Sequence, residues 1–108
     1  MPSSALRLAR PWSAIALLSA LGGGPARADL ALGEYLSQTC MTCHQKSGDV
    51  KGAVPAIVGW PTDQFVAVMK SYRSKERDNE VMQSLSGPLS DEDIRALALY
   101  FGSLKPVK

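Results

Sequence analysis

Both cysteines and the single histidine of this chain stand together in the run Cys40-Met41-Thr42-Cys43-His44. The spacing Cys-x-x-Cys-His is typical of covalent attachment of haem c. Two thiols separated by two residues of a helical turn can reach the two vinyl groups on one edge of a porphyrin, and the adjacent imidazole then lies under the iron. The motif therefore predicts one haem c, bound through Cys40 and Cys43, with His44 as the proximal iron ligand.

Other kinds of site share part of this pattern. A thioredoxin-like redox pair also has Cys-x-x-Cys, but it opens a helix after a strand, and nothing strand-like precedes Cys40. A structural disulfide between Cys40 and Cys43 suits an exported protein, although closing so short a loop removes little entropy from the unfolded chain. A closed zinc site is disfavoured because two cysteines and one histidine leave it one ligand short.

A six-coordinate haem needs a second axial ligand, and the absence of a second histidine excludes bis-histidine ligation within one chain. The remaining candidates are Met41, Met69, Met82 or a lysine. Met41 lies between the cysteines and is tied to the same side of the ring as His44. Met69 follows the apolar period of an amphipathic helix, which favours a place in the core.

Met82 has a different setting, between a predicted helix and the turn at Gly87-Pro88. A loop there can bring its thioether across the opposite haem face, so Met82 is the favoured distal ligand. The alternative is that Met82 fills an irregular gap in the protein. With His44 and Met82 both bound, the iron would have no open position, which favours electron transfer over catalysis.

The elements that must position these residues are predicted to be helices, since no run alternates polar and apolar residues with period 2. A first helix is predicted from Leu30 to about Gln38, with Gly33 as a point of close approach for another helix. A central helix is predicted to have Thr62 as its N-cap and to stop near Ser74.

The last helix has the clearest local signals. Ser90 as N-cap with Asp93 three residues later resembles a capping box. The apolar stripe repeats every 3.6 residues, so we expect it to be buried against the first helix. The stripe consists of Ile94, Leu97, Ala98, Phe101 and Leu104.

Residues 1–28 have the pattern of a cleaved secretory signal peptide, which leaves residues 29–108 as the folded domain. Arg7 and Arg10 precede an apolar run, Trp12–Leu21, and Ala26-Arg27-Ala28 offers a small-x-small cleavage signature. The run has about half of the roughly 20 residues that a membrane-spanning helix needs. We therefore expect export to the periplasm and no permanent membrane span.

Loss of this segment changes the charge balance. The chain of 108 residues has 12 basic and 10 acidic residues, and three of the basic ones lie in residues 1–28, so the remaining 80 residues carry a formal charge of −1. Such a balance gives no case for nucleic-acid binding. So small a domain has a limited core, and a large apolar body such as haem is expected to help fill it.

Several segments of residues 29–108 share one family pattern. They are Gly33–Leu36, the Cys40–His44 motif, Pro55–Gly59, Met82 and the terminal stretch Leu89–Phe101. Together they resemble a small bacterial class I c-type cytochrome, and the run from Gly59 to Met82 is similar to cytochrome subunits of flavocytochrome c sulfide dehydrogenase. The resemblance implies an all-α class I cytochrome c fold, with three to five helices wrapped around one covalently bound haem.

The resemblance also implies roles for individual residues. The Pro55 carbonyl would accept a hydrogen bond from the second ring nitrogen of His44 and so fix the imidazole; an ordinary loop proline is the alternative. Asn79 could hydrogen-bond near the distal sulfur or be an exposed loop residue. Trp60 or Arg73 could meet a haem propionate or serve in packing and solvation. The stretch after the motif carries Gln45-Lys46 where the family often has glycine.

The function implied is that of a periplasmic one-electron carrier, not an enzyme, which exchanges electrons with redox partners such as a reductase or oxidase. The alternative is a haem c subunit of a flavin-dependent sulfide oxidoreductase. A third possibility, a five-coordinate gas-binding protein, requires Met82 to be absent from the iron. A basic strip, Lys70, Arg73, Lys75 and Arg77, could steer a partner, although acidic residues interrupt it.

Overall fold

The computed structural model describes residues 25–50 and 52–106, and this part of the chain forms four helices and no strand. The helices are α1 (Pro25–Cys40), α2 (Thr62–Arg73), α3 (Glu80–Ser86) and α4 (Asp91–Ser103). The all-α prediction is therefore confirmed. Most of the expected signal peptide, residues 1–24, lies outside the described residues. Among the helices that are described, none combines the length and apolar character needed to cross a membrane.

Helix α1 is longer than the predicted segment at both ends. It begins at Pro25, five residues before the expected start, and continues to Cys40. Proline is tolerated at the first helical position because the N–H that it lacks has no partner there, and the alanines that follow have the highest helix propensity. The extension to Cys40 places the first motif cysteine on the last residue of the helix.

Helix α4 follows its prediction closely. Ser90 Oγ accepts the Asp93 N–H at 3.0 Å, and Asp93 Oδ2 accepts the Ser90 N–H at 3.0 Å, which completes the capping box. The predicted stripe is buried over Ile94, Leu97, Ala98 and Phe101, and Leu104 at the C-cap is half-buried. The apolar period thus identified the core face of this helix.

Helix α4 packs most extensively against α1, as predicted, and also against α2, which in turn packs against α3. The α1–α4 contact is close at Gly33, where a Cβ atom would stand 2.7 Å from Tyr100 Cβ and would collide with the Ala96 carbonyl oxygen. Real Cβ atoms do not approach a neighbour this closely, so only glycine allows the two backbones to meet here.

The N-cap of helix α2 is not the predicted residue, Thr62. Thr62 is the first helical residue, and the N-cap is Pro61, whose extended backbone (φ −56°, ψ 134°) offers its carbonyl to the Phe65 N–H at 3.0 Å. The helix ends at Arg73 with Ser74 as C-cap, as expected. On its buried face Phe65 stacks on Phe101 of α4, with ring centroids 5.7 Å apart.

The core therefore lies between α2, α4 and the segment that precedes α2. Half-buried apolar side chains pack against it. The buried members are Ile57, Val58, Phe65, Met69, Ile94, Leu97, Ala98, Tyr100 and Phe101. The half-buried side chains are Leu36, Cys40, Met41, Trp60, Val66, Met82, Leu89 and Leu104.

Candidate functional site

The Cys40–His44 motif forms a tight turn at the C-terminal end of α1. The Met41 N–H continues the helical pattern to the Ser37 carbonyl at 2.9 Å, and the N–H groups of Cys43 and His44 both donate to the Cys40 carbonyl, at 3.2 and 2.9 Å. One carbonyl thus fixes both later residues of the motif relative to the first. The two thiols and the imidazole are carried by a single short turn.

The two thiols differ in environment and are not joined by a disulfide. Cys40 is half-buried, and desolvation raises the pKa of its thiol, although a hydrogen bond with its own backbone opposes the shift. Cys43 is exposed, with Thr42 Oγ1 3.7 Å from its sulfur. A thioredoxin-like pair is disfavoured because this motif ends a helix, whereas reactive thiolates are stabilised at helix N-termini.

His44 is oriented by a contact across the loop. Its Nδ1 lies 2.7 Å from the Pro55 carbonyl oxygen. A carbonyl can only accept, so Nδ1 carries a proton, and in a neutral ring the lone pair then lies on Nε2. This is the arrangement that a metal-ligating histidine requires, with the second nitrogen held by a backbone acceptor.

The segment that carries Pro55 is itself anchored in the core. Ile57 and Val58 are buried, and the Gly59 N–H donates to the Phe101 carbonyl of α4 at 2.8 Å. Gly59 has a φ of +77°, a conformation that side chains rarely adopt. The acceptor for His44 is therefore held by buried neighbours on the same short segment.

The loop after His44 contains a turn between Gln45 and Gly48. The Gly48 N–H donates to the Gln45 carbonyl at 3.0 Å, and Gly48 has a φ of +83°. Ser47 Oγ donates to Asp49 Oδ2 at 2.9 Å. The residue with positive φ in this turn is thus Gly48, three residues after Gln45. The turn therefore forms without a glycine at Gln45 or Lys46.

Met82 does not lie in a loop, and this part of the prediction is wrong. It lies in the first turn of α3, is half-buried and packs against the core. Asn79 provides the missed signal: its side-chain oxygen accepts the Met82 N–H at 3.0 Å, as an N-cap does. The Asn79 oxygen thus accepts from the Met82 backbone, and a contact of the Asn79 amide N–H groups with the Met82 sulfur stays a prediction.

The other candidate ligands and propionate contacts have defined places. Met69 is buried in the core, as predicted. Met41 is half-buried and packs against the core. Trp60 is half-buried against the core. Arg73 donates to the Leu89 carbonyl at 3.0 Å and to Asp91 Oδ1 at 2.5 Å, so its guanidinium joins α2 to the start of α4.

The basic strip is largely engaged within the protein. Lys70 lies 3.9 Å from Asp91, which Arg73 also binds. The Arg77 guanidinium lies over the Tyr72 ring, 5.7 Å from its centroid. These contacts leave less free positive charge for steering a partner than the sequence alone indicates.

The donor set fits haem c and not a bare metal ion. Within residues 25–50 and 52–106, no three His, Cys, Asp or Glu side chains converge on a point that could hold a metal. The turn instead presents two free thiols and an imidazole with an available Nε2, and a thioether lies on a separate helix. These are the groups that covalent haem attachment with His and Met ligation requires.

Known proteins share much of this sequence, although no family model matches the chain. The cytochrome c-554(548) of Halomonas halodenitrificans is 32% identical over 79 residues, which are 69% of this chain and 95% of that protein. This chain is a small c-type cytochrome. It therefore belongs to a family of electron-transfer proteins and has the class I cytochrome c fold.

Two further relatives are matched over only part of their own length. A thiosulfate dehydrogenase electron acceptor of Thiomonas intermedia is 30% identical over 95 residues, 86% of this cytochrome but 43% of the relative. A cytochrome subunit of sulfide dehydrogenase of Chlorobaculum tepidum is 29% identical over 72 residues, 67% of this cytochrome and 66% of the relative. The cytochrome thus spans less than half of the first and about two thirds of the second.

Proposed function

We propose that this cytochrome is a periplasmic one-electron carrier with one haem c, attached through Cys40 and Cys43 and ligated by His44 and Met82. The observation that carries the proposal is the 2.7 Å contact between His44 Nδ1 and the Pro55 carbonyl. It fixes the tautomer that leaves Nε2 available to iron, in the residue next to the second attachment cysteine. The family membership and the redox proteins among the relatives support the same function.

Each residue of the site contributes a separate property. When bound, haem c supplies an iron that alternates between the ferric and ferrous states. His44 is held by Pro55, so its ring does not need to reorient when the charge changes. Met82 offers a thioether, a ligand that favours the ferrous state and raises the reduction potential relative to bis-nitrogen ligation. With both side chains bound, there is no position for a substrate.

The distal ligand is tested by replacing each methionine in turn. In the ferric holoprotein we expect Met82→Ala to abolish the red-region sulfur-to-iron charge-transfer band, because its thioether would be the sulfur ligand. Met69→Ala is the matched control: it removes a buried thioether from the core and should leave the band in place while lowering stability. A band that survives Met82→Ala and disappears in Met69→Ala would show that Met69 is the ligand.

A second candidate function is favoured by the relative named as a cytochrome subunit of sulfide dehydrogenase. In that case the cytochrome would be the haem c subunit of a flavin-dependent sulfide oxidoreductase, with a permanent interface. Size-exclusion chromatography of native periplasmic extract separates the two functions. Haem absorbance at the size of the lone domain supports the free carrier, and co-elution with flavin absorbance in one complex supports the subunit.

A further inference from the structure

Helix α3 is tied at its start to one side chain, that of Asn79. Asn79 has an extended backbone (φ −171°, ψ 110°), and its Oδ1 accepts the Met82 N–H at 3.0 Å. Its carbonyl accepts the N–H of Gln83 at 2.9 Å. The backbone of Met82 and that of the following residue are thus both bonded to Asn79.

The segment that precedes α3 is hydrogen-bonded both to α3 and to α2. Gln83 Nε2 donates to the Arg77 carbonyl at 2.9 Å, and the Arg77 N–H donates to the Ser71 carbonyl of α2 at 3.1 Å. The Arg77 guanidinium also lies over the Tyr72 ring of α2. Asn79 therefore links Met82 to a segment that is itself anchored to α2.

Packing alone gives α3 little support. The helix has seven residues, and helices this short are not stable in isolation. Val81 is 61% exposed and Leu85 is 38% exposed, so neither of these large apolar side chains belongs to the buried core. A helix of this kind depends strongly on its cap, because the cap satisfies an amide that would otherwise lack a partner.

We propose that Asn79 is a positioning residue that holds the Met82 thioether on the haem iron by capping α3. The proposal rests on the assignment of Met82 as distal ligand in the proposed function. In this proposal the thioether is released when the first turn of α3 opens, and opening breaks the Asn79–Met82 hydrogen bond. The cap therefore shifts the equilibrium between bound and released Met82 toward the bound state.

The test titrates the ferric holoprotein with imidazole. Displacement of Met82 is monitored as the loss of the red-region sulfur-to-iron band. Loss of a capping side chain is expected to increase the apparent affinity for imidazole about fivefold in Asn79→Ala. Asn79→Ser retains a capping oxygen and should stay near the wild-type value, with Asn79→Gly between the two. If Asn79→Ala does not accumulate, Asn79→Gly and Asn79→Ser are compared instead. A higher imidazole affinity in Asn79→Gly than in Asn79→Ser supports the proposal, and equal affinities overturn it.

Ser90→Ala is the matched control, because Ser90 Oγ caps α4 through an equivalent 3.0 Å bond to the Asp93 N–H. We expect this variant to lower the denaturant midpoint without changing imidazole affinity. The proposal is overturned if Asn79→Ala and Asn79→Ser bind imidazole equally, or if Ser90→Ala increases the affinity as much as Asn79→Ala does. Failure of the ligand assignment is distinguishable, because the Met82→Ala protein would then keep its band.

Discussion

The helical core and the candidate site are held in different ways. In the core, Phe101, Ile94 and Leu97 have at most 1% of their surface exposed, and they are placed by contact on all sides. In the site, His44 and Met82 are only half-buried, and single hydrogen bonds to the Pro55 carbonyl and to Asn79 place them. The core is thus defined by packing, whereas the site is defined by a few directional bonds.

This difference separates stability from ligand placement. Burial is additive over many atoms, so the core provides most of the free energy of folding. A hydrogen bond at a partly exposed site contributes little net stability but fixes an angle and a distance. Substitutions in the core should therefore lower stability with little change in imidazole affinity, whereas substitutions at Asn79 should change imidazole affinity with a smaller loss of stability.

The largest effect on stability is expected for Phe101→Ala. Phe101 is fully buried, stacks on Phe65 and meets Tyr100 edge to face. Its truncation should lower the free energy of unfolding by about 3–5 kcal/mol, measured by denaturant titration of the holoprotein. Tyr35→Ala removes an aromatic ring that is 71% exposed and serves as the control. An equal loss in both variants would contradict the placement of the core.

A smaller effect is expected for Gly33→Ala, which tests the close contact between α1 and α4. Alanine is favoured over glycine in a helix interior by about 1 kcal/mol, but its Cβ would collide with the Ala96 carbonyl and Tyr100 Cβ. Overpacking should dominate, with a net loss of about 1–3 kcal/mol. Gln38→Ala, at an exposed position of the same helix, should not destabilise. A stabilised Gly33→Ala protein would show that the helices do not meet here.

The smallest effect is expected at Asp91. The hydrogen bond from Arg73, with the charges of Lys70 and Arg73, holds the pKa of this carboxyl below its ordinary value of 3.8. Its contribution to stability is therefore present above that pH and is lost as the pH falls toward the pKa in the folded state. Asp91→Asn should have a slightly lower denaturant midpoint than the wild type at pH 7, and the difference should shrink at pH 3.

Glu92→Gln is the control for that experiment, since Glu92 shares the first turn of α4 with Asp91. It should reproduce only the part of the effect that comes from a negative charge near a helix N-terminus. If the two variants lose stability equally at pH 7, the ion pair with Arg73 contributes nothing measurable, as is common for exposed pairs.

The sequence predicted the core better than the supports of the site. The period of Ile94, Leu97 and Phe101 reports burial directly, and Ser90 with Asp93 is a local cap signal, so α4 was predicted correctly. Gly33 likewise indicated a close helix contact, which is confirmed.

Helix α3 was missed because seven residues carry too little periodicity to distinguish a helix from a loop. The helix is capped by Asn79, for which the sequence suggested two other roles: a hydrogen bond near the distal sulfur or an exposed position in a loop. The start of α2 was misplaced by one residue because Thr62 has a good capping side chain, but Pro61 already adopts the N-cap conformation. The roles of Cys40, Cys43, His44, Met82 and Pro55 toward haem remain predictions, which the methionine replacements begin to test.

The acceptor that orients His44 belongs to the main chain, and this limits how the imidazole can be altered. Every amino acid at position 55 has the same carbonyl, so no single substitution can delete it. Genetic variation can act only on the path of the segment that carries the carbonyl, through the length of the connection, the buried anchors Ile57 and Val58, or the glycine at position 59. Engineering of the iron's electronic properties from this side should therefore begin with insertions and deletions between residues 45 and 54.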